Sequence, residues 1–364
     1  MAISNGAKGS AGKAGELRWS GQTLNFAAPG TLPGMARISN LVQSVRSPEF
    51  RGVTFHEVLA KTALNHVPAD SRMLPDEWTI NPYRGCTHAC AYCYARPTHK
   101  YLGLDILDDF DNEIIVKTNI VDVLRSELKK KRQLPRRVAL GTSTDPYQRA
   151  EGRYQLMPGI IEALGTAGIP FSVLTKGTLI RRDLPLLVAA NEQAHVEPGL
   201  SLSIVDDELQ QSLEPGTPTT SARLKTIEVI RAAGLDCTVF IAPILPLLSD
   251  RPHQLEHLVR SLAKAGATAV LYTELYLPSQ VRAGFFTWLR QQHPQLVSDY
   301  ERIFSAGAIA DPRYRAWLDA QITPLLRRYG LPDPDAGVAD KFALHGKRSP
   351  ATPRQENQAA PTLF

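Results

Sequence analysis

Residues 81–99 read NPYRGCTHACAYCYARPTH, which gathers three of the chain's four cysteines, Cys86, Cys90 and Cys93, within eight residues. Spacings of four and three let one tight loop wrap a compact centre, with sulfurs converging from one side. Thiolates are the soft ligands that zinc and iron–sulfur clusters take. A structural zinc site wants four protein ligands, and the nearest fourth candidates are His88 and His99. A cubane cluster held by three cysteines leaves one iron with an open coordination site, where a reactive small molecule can bind. Cys237 stands alone far downstream on a strand-like run, where a thiol reads as a small buried hydrophobe.

Around this stretch the composition is that of a globular enzyme. Of 364 residues, 43% are apolar and 21% charged, too apolar a mix for a disordered chain. The net charge of 41 − 36 = +5 permits an anionic partner without demanding one. Four cysteines do not make a disulfide scaffold. No run reaches the roughly 18–20 apolar residues of a membrane span, since Cys237–Leu248 is broken by Pro243 and Pro246, and the N-terminus lacks a signal-peptide core. The expectation is a cytoplasmic protein with no membrane partner. Residues 1–16 and 346–364 read as disordered tails, 17–73 as an N-terminal extension, 74–290 as the core and 291–345 as a helical C-terminal extension. Within the first extension, Val53–His66 has the pattern of an amphipathic helix.

Strand-length apolar runs alternate with helical patterns along the core. Glu113–Val116 reads as a short strand or the opening of a turn. Strands are expected at Arg137–Gly141, Pro170–Thr175, Gly199–Val205, Asp236–Ile244 and Ala269–Leu275. Helices are expected at Asp122–Lys131, Leu156–Thr166, Leu184–Asn191, Ser221–Ala233 and Gln254–Ala265. The strands are β-branched and nearly continuous in apolar character, as strands covered on both faces are. About six βα units predict an α/β fold, a partial (βα)6 TIM-like barrel rather than a full eight-stranded one. In such barrels chemistry collects at the C-terminal strand ends.

Cys86, Cys90, Tyr92 and Cys93 match the pattern C-x3-C-x-aromatic-C, and here the sequence resembles the radical S-adenosylmethionine (radical SAM) superfamily. The resemblance implies that the three cysteines hold a [4Fe–4S] cluster whose fourth iron chelates S-adenosylmethionine. It implies reductive cleavage of that cofactor to a 5′-deoxyadenosyl radical, and an electron donor of flavodoxin or ferredoxin type. The phrases NPYRGCTHACAYCYARPTH, GTSTDPYQ, LTKG and LEPGTPTTSARLKTIEVIRAAGL extend the resemblance to the branch containing spore photoproduct lyase and its uncharacterised relatives. A nucleic-acid base or lesion is the substrate this implies; a peptide or small metabolite is the rival within the class. The alternative outside it is a cluster- or zinc-holding module that binds nucleic acid without catalysis. One departure stands out: the branch's lyases carry a hydrogen-donating cysteine where this chain has Gly141.

Strand ends supply the other candidates. Tyr92 belongs to the signature itself. Thr144 and Asp145, after the second expected strand, suit the methionine ammonium, or else form a turn with a helix N-cap. Lys176, after the third, sets a cation where a carboxylate can bind. Ser201 and Ser203 lie two apart, so one hydroxyl can reach the ribose if that face is interior. Arg223 can fork onto the methionine carboxylate, with Glu214 orienting it. Ala242–Pro246 is stiff and apolar enough to pack an adenine face. Lys129–Arg132 is a basic run that reads as solvated surface. Finally, Leu363 and Phe364 end a polar tail in a way that resembles a sliding-clamp docking peptide.

Overall fold

The computed structural model describes residues 15–16, 23–24, 40–67, 78–131 and 133–331. The sliding-clamp motif at Leu363–Phe364 and both expected tails fall largely or wholly outside these residues. Two short strands, β1 (Gly15–Glu16) and β2 (Thr23–Leu24), form an antiparallel ladder of their own. A four-stranded sheet combines β3 (Leu41–Arg46), β4 (Thr54–Val58), β7 (Tyr83–Arg84) and β8 (Glu113–Lys117) in the order β3-β4-β8-β7. The main sheet runs from β5 (Leu64–His66) through β6 (Trp78–Ile80), β9 (Val138–Leu140), β10 (Phe171–Thr175), β11 (Val196–Ser201) and β12 (Thr238–Ile244) to β13 (Ala269–Glu274).

From β6 to β13 every neighbour in the main sheet is parallel, and only β5 is antiparallel. The fold is therefore an α/β sheet of six parallel strands. Among the described residues β5 and β13 each have one neighbour, so no ladder closes the sheet. Val138, Ala139 and Leu140 of β9 are all buried, as parallel strands sandwiched between layers must be. Helices Leu156–Thr166, Leu184–Asn191, Thr220–Ala232 and Pro252–Ala265 connect the strands. Their apolar residues, among them Ile160, Leu187, Ile227 and Leu258, share one core with the strands.

Two expectations need correction. Val53–His66 is not a helix but β4, an irregular connection and β5. Its Phe55, Val58 and Leu59 mimic helical spacing. However, Thr54–Val58 takes the interior place of its sheet, parallel to β8, and buries Phe55 against Phe50 and Tyr154 at 5.0 and 5.4 Å. Tertiary pairing of a β-branched, aromatic segment overrides local propensity there. The second correction concerns the count of six. Glu113–Lys117 is a strand, yet it belongs to the smaller sheet, and the first parallel strand is Trp78–Ile80, immediately before the cysteines. Three residues were too short a run to stand out from their surroundings.

The C-terminal helix Pro312–Arg328 inserts Leu318, Ile322 and Leu326 into the same core as the sheet. Truncating Leu318, 1% exposed, removes packed atoms and leaves a cavity. Leu318→Ala is expected to cost about 3 kcal/mol. Urea unfolding should retain a single transition; a separate early transition would show that the helix is an independent unit.

Candidate functional site

The cysteines lie on the loop that leaves β6. Asn81 follows the strand, β7 comes next, and Cys86 N–H donates to the Phe110 carbonyl at 3.0 Å. Two backbone bonds then pin the loop to the segment after β11: Ala91 N–H to the Leu213 carbonyl at 2.9 Å, and Gly216 N–H to the His88 carbonyl at 3.1 Å. The approach is close enough that a Cβ on Gly216 would stand 1.9 Å from the Thr87 oxygen. Only glycine fits that crossing.

All three loop thiols are free. Cys86 and Cys90 are buried, and the half-buried Cys93 packs against the apolar groups around both of them. Burial pushes the Cys90 thiol well above its usual value and Cys93 up to about 11. Such thiols keep their protons until a metal displaces them. Among the described residues, no group of three or more His, Cys, Asp or Glu side chains is placed to hold a metal ion. His99, offered as a fourth ligand, instead makes a 3.0 Å hydrogen bond from Nε2 to the Glu113 carbonyl, and burial lowers its pKa to about 4. His88 faces Asp145 at 3.3 Å. Burial opposes its charge, but Asp145 and Cys86 outweigh that and raise it to about 10.

Beside the loop lies a buried network centred on Glu214, 1% exposed. Its Oε1 accepts from the Tyr92 hydroxyl and from Lys176 Nζ, the latter at 3.0 Å. Its Oε2 accepts from Arg223 Nη2 at 2.5 Å and Thr217 Oγ1 at 3.2 Å. Burial alone would raise the carboxyl, yet Lys176 and Arg223 hold it well below the usual range. Lys176 also donates to Ser201 Oγ at 2.8 Å. Arg223 gives Nε to the Pro218 carbonyl, Nη1 to the Ser201 carbonyl, and Nη2 to Thr217 as well as Glu214. Four of its five N–H groups are thereby engaged.

Thus the structure brings Tyr92, Lys176, Ser201 and Arg223 into one cluster. Thr144 and Asp145 stand next to it. Thr144 Oγ1 donates to the Gly85 carbonyl at 2.7 Å, joined there by Gln148 Nε2 at 3.0 Å. Asp145 is built into the backbone: its Oδ1 accepts from Tyr147 N–H and Thr175 Oγ1, and its Oδ2 from Lys176 N–H at 2.6 Å. β11 ends at Ser201, so Ser203 lies beyond the strand, 2% exposed, with its hydroxyl lacking a protein partner. The basic run sits elsewhere: Lys131 lies 3.7 Å over the Trp78 ring at the opposite, N-terminal end of β6.

Gln148 and Asn81 were missed. Asn81 Oδ1 accepts from Ser143 N–H at 3.2 Å and so joins the ends of β6 and β9, and Gln148 also takes Thr87 N–H at 2.9 Å. Both stood within the quoted motifs, but their roles are hydrogen bonds across about sixty residues, invisible without the first strand in place.

Residues 80–270 match the family described as the radical SAM superfamily. The chain belongs to the radical SAM superfamily. An uncharacterized protein of Mycobacterium tuberculosis H37Rv is 48% identical over 355 residues, 96% of this chain and all of the relative. An uncharacterized protein of Acidianus two-tailed virus is 28% identical over 204 residues, covering 54% of this chain and 66% of the viral protein. Among solved structures, spore photoproduct lyase complexed with dinucleoside spore photoproduct is similar, with a TM-score of 0.57 at 15% identity over 76% of this chain and 79% of that one. The radical SAM fold expected from sequence is the fold observed, and the superfamily implies a [4Fe–4S] cluster and S-adenosylmethionine. No helix among the described residues is long and apolar enough to cross a membrane.

Gly141 and Cys237 bear on that likeness. Gly141 has φ +93°, and a Cβ there would stand 2.0 Å from the Leu174 carbonyl oxygen, so no thiol fits at this position on the present backbone. Cys237 is fully buried just before β12, at the far end of the sheet from the loop, and burial raises its thiol to about 12.

Replacing Glu214 tests the network. Glu214→Gln leaves two buried cations without their anion and is expected to cost about 3 kcal/mol at neutral pH. A carboxyl depressed by folding stabilises above its unfolded pKa of about 4.5 and loses that contribution as pH falls. The gap between variant and wild type in urea melts should therefore narrow below about pH 4.5; a gap unchanged by acid would show that the charge is not what Glu214 contributes.

Proposed function

We propose that this chain is a radical SAM enzyme in which Cys86, Cys90 and Cys93 hold a [4Fe–4S] cluster and the neighbouring strand ends hold S-adenosylmethionine. We infer further that it acts on a nucleic-acid base or base lesion. The observation that carries the first reading is the loop of three free thiols at the C-terminal end of the first parallel strand, tied through Tyr92 to the Lys176–Glu214–Arg223 network. When bound, the cluster supplies one electron that cleaves the cofactor's sulfonium to methionine and a 5′-deoxyadenosyl radical.

The residues divide the work of binding. Burial of the loop excludes water from the thiolates. Lys176 keeps an ammonium at the edge of the site, its three donors on Glu214, Ser201 and Tyr92, so that it supplies positive charge beside the methionine carboxylate. Arg223 has a single N–H left, so its main task is to hold Glu214 and the Ser201 carbonyl. Asp145 shapes the turn after β9 and braces His88, which leaves Thr144 and the backbone there to face the methionine ammonium. The unpartnered Ser203 hydroxyl fits a ribose oxygen, and Ala242–Ile244 offers the adenine a rigid apolar face. Residues 74–290 are the catalytic core in this reading, and an electron donor of flavodoxin or ferredoxin type reduces the cluster.

The likeness in fold to spore photoproduct lyase and the shared sequence phrases support a nucleic-acid substrate. The hydrogen-return step of that lyase does not carry over, because the Gly141 position admits no thiol. Anaerobic reconstitution should load about four irons and four sulfides per chain, and dithionite should then release 5′-deoxyadenosine. Alanine at any of Cys86, Cys90 or Cys93 should abolish both, while Cys237→Ala should keep the iron and lose only about 1 kcal/mol of stability. Stoichiometric zinc without cleavage would overturn the enzyme reading. For the substrate, deuterium should move into 5′-deoxyadenosine from a deuterated oligonucleotide. Transfer only from labelled peptides or metabolites would redirect the assignment to them.

A further inference from the structure

Away from the cysteine loop, side chains of the smaller sheet form one hydrogen-bonded line. Ser44 on β3 stands directly opposite His56 on β4, and Thr54 is flanked by Arg46 on β3 and Glu113 on β8. Residues two apart on a strand share a face, so all five lie on the same side of this sheet. Ser44 Oγ is 2.8 Å from His56 Nδ1, and His56 Nε2 is 2.6 Å from Glu113 Oε2. Thr54 Oγ1 accepts from Arg46 Nε at 3.0 Å and donates to Glu113 Oε1 at 3.4 Å.

The ends of the line fix the direction of its bonds. A guanidinium only donates, so Thr54 accepts from Arg46 and gives its own proton to the carboxylate. An ionised Glu113 only accepts, so His56 carries its proton on Nε2 and turns the lone pair of Nδ1 toward the Ser44 hydroxyl. His56 and Glu113 are buried, whereas Ser44 is exposed on β3, which has β4 as its one neighbour among the described residues. An exposed hydroxyl facing the lone pair of a buried imidazole, with a carboxylate behind the ring, is the arrangement that activates a serine nucleophile. The two ring nitrogens exchange the roles they have in the Ser-His-Asp triad, since Nδ1 rather than Nε2 faces the hydroxyl. Among the described residues Arg46 bonds through Nε alone. Its terminal nitrogens therefore keep donors for an oxyanion formed beside it on the same strand face.

We propose that Ser44, His56 and Glu113 form a second site, independent of the cluster, that takes the acyl group of a short-chain carboxylic ester. Ser44 Oγ attacks the ester carbonyl and its proton passes to His56 Nδ1, while Glu113 pairs with the imidazolium through Nε2–H. The bond from the carbonyl carbon to the alcohol oxygen then breaks. The leaving oxygen takes the proton from Nδ1, and the acyl group stays on Ser44. Water attacks that ester by the same route and releases the acid. Ser44 and His56 are the catalytic residues here, and Glu113 positions the ring. An exposed hydroxyl buries little of an acyl chain, which favours short ones.

The test treats the full cluster-loaded chain, under anaerobic conditions, with an alkyl fluorophosphonate and locates the adduct by peptide mass mapping. The Oγ–P bond forms as fluoride leaves and the proton passes to His56, so a single adduct on Ser44 is expected. Chain unfolded in urea should not react. Ser44→Ala should lose the adduct yet keep its iron and its release of 5′-deoxyadenosine. Arg46→Gln, a change at the surface, should slow labelling about tenfold, because an exposed cation is screened. His56→Gln should slow it roughly a hundredfold or more. With p-nitrophenyl acetate, wild type should give a burst of nitrophenolate equal to the chain concentration, and Ser44→Ala should give none. No adduct on wild-type Ser44, or equally fast labelling of the unfolded chain, would overturn the site and leave the line a purely structural one. So would an unchanged labelling rate in a folded His56→Gln enzyme. None of these outcomes touches the radical SAM reading, which rests on other residues.

Discussion

One buried carboxylate holds the site together. Glu214 reaches from the segment after β11 to the cysteine loop through Tyr92, to the end of β10 through Lys176, and to the Thr220–Ala232 helix through Arg223. Each group would be costly to bury alone, by several kcal/mol per ion. Together they satisfy one another: the carboxylate accepts four bonds, and the guanidinium spends what remains on backbone carbonyls. Replacing such a network by apolar side chains often costs nothing in stability. What an apolar cluster cannot do is fix the direction of each element, because apolar contacts are non-directional. Here direction matters, since three loops from distant parts of the chain must meet at one place.

The same segment also clamps the loop from outside the network. Leu213 and Gly216 contribute a carbonyl and an N–H to Ala91 and His88, on either side of Cys90. A loop carrying metal ligands gains little affinity if the ligands must be ordered when the metal arrives, because the entropy of ordering opposes binding. Backbone bonds at Ala91 and His88, the Cys86 bond to Phe110, and Arg96 bonded to the Cys90 carbonyl at 3.0 Å impose that order beforehand. In the proposed reading, these bonds order the loop before a cluster is bound.

Much of this was legible in the sequence, and the remainder failed for definable reasons. Cys86, Cys90, Tyr92 and Cys93 are a local pattern, so the resemblance to the family could rest on a few neighbouring residues. The strands from Val138 to Glu274 are continuous apolar runs between helices, and their periodicity survives without tertiary information. Trp78–Ile80 was hidden because three residues cannot show a period, and Val53–His66 misled because its spacing satisfied helix and strand alike. Glu214 was read as a partner for Arg223, which it is; its bonds to Tyr92 and Lys176 cross 122 and 38 residues and leave no mark on local sequence. Ser203 was placed on a strand that ends two residues earlier, and its unpartnered hydroxyl could be recognised only once burial was known.

The arrangement of cysteines limits the chemistry further than the fold does. In the proposed reading Cys86, Cys90 and Cys93 go to the cluster, while Cys237 is fully buried just before β12. At Gly141, the strand end where a thiol could face a substrate, the backbone takes a left-handed conformation, and the Leu174 carbonyl occupies the space of a side chain. Installing a cysteine there would require β9 and β10 to part, and Val173 and Leu140 in their ladder are both fully or almost fully buried. The glycine is thus a packing requirement as well as a missing thiol. The fold similar to that of spore photoproduct lyase is thus built here around a turn after β9 that has no room for a side chain.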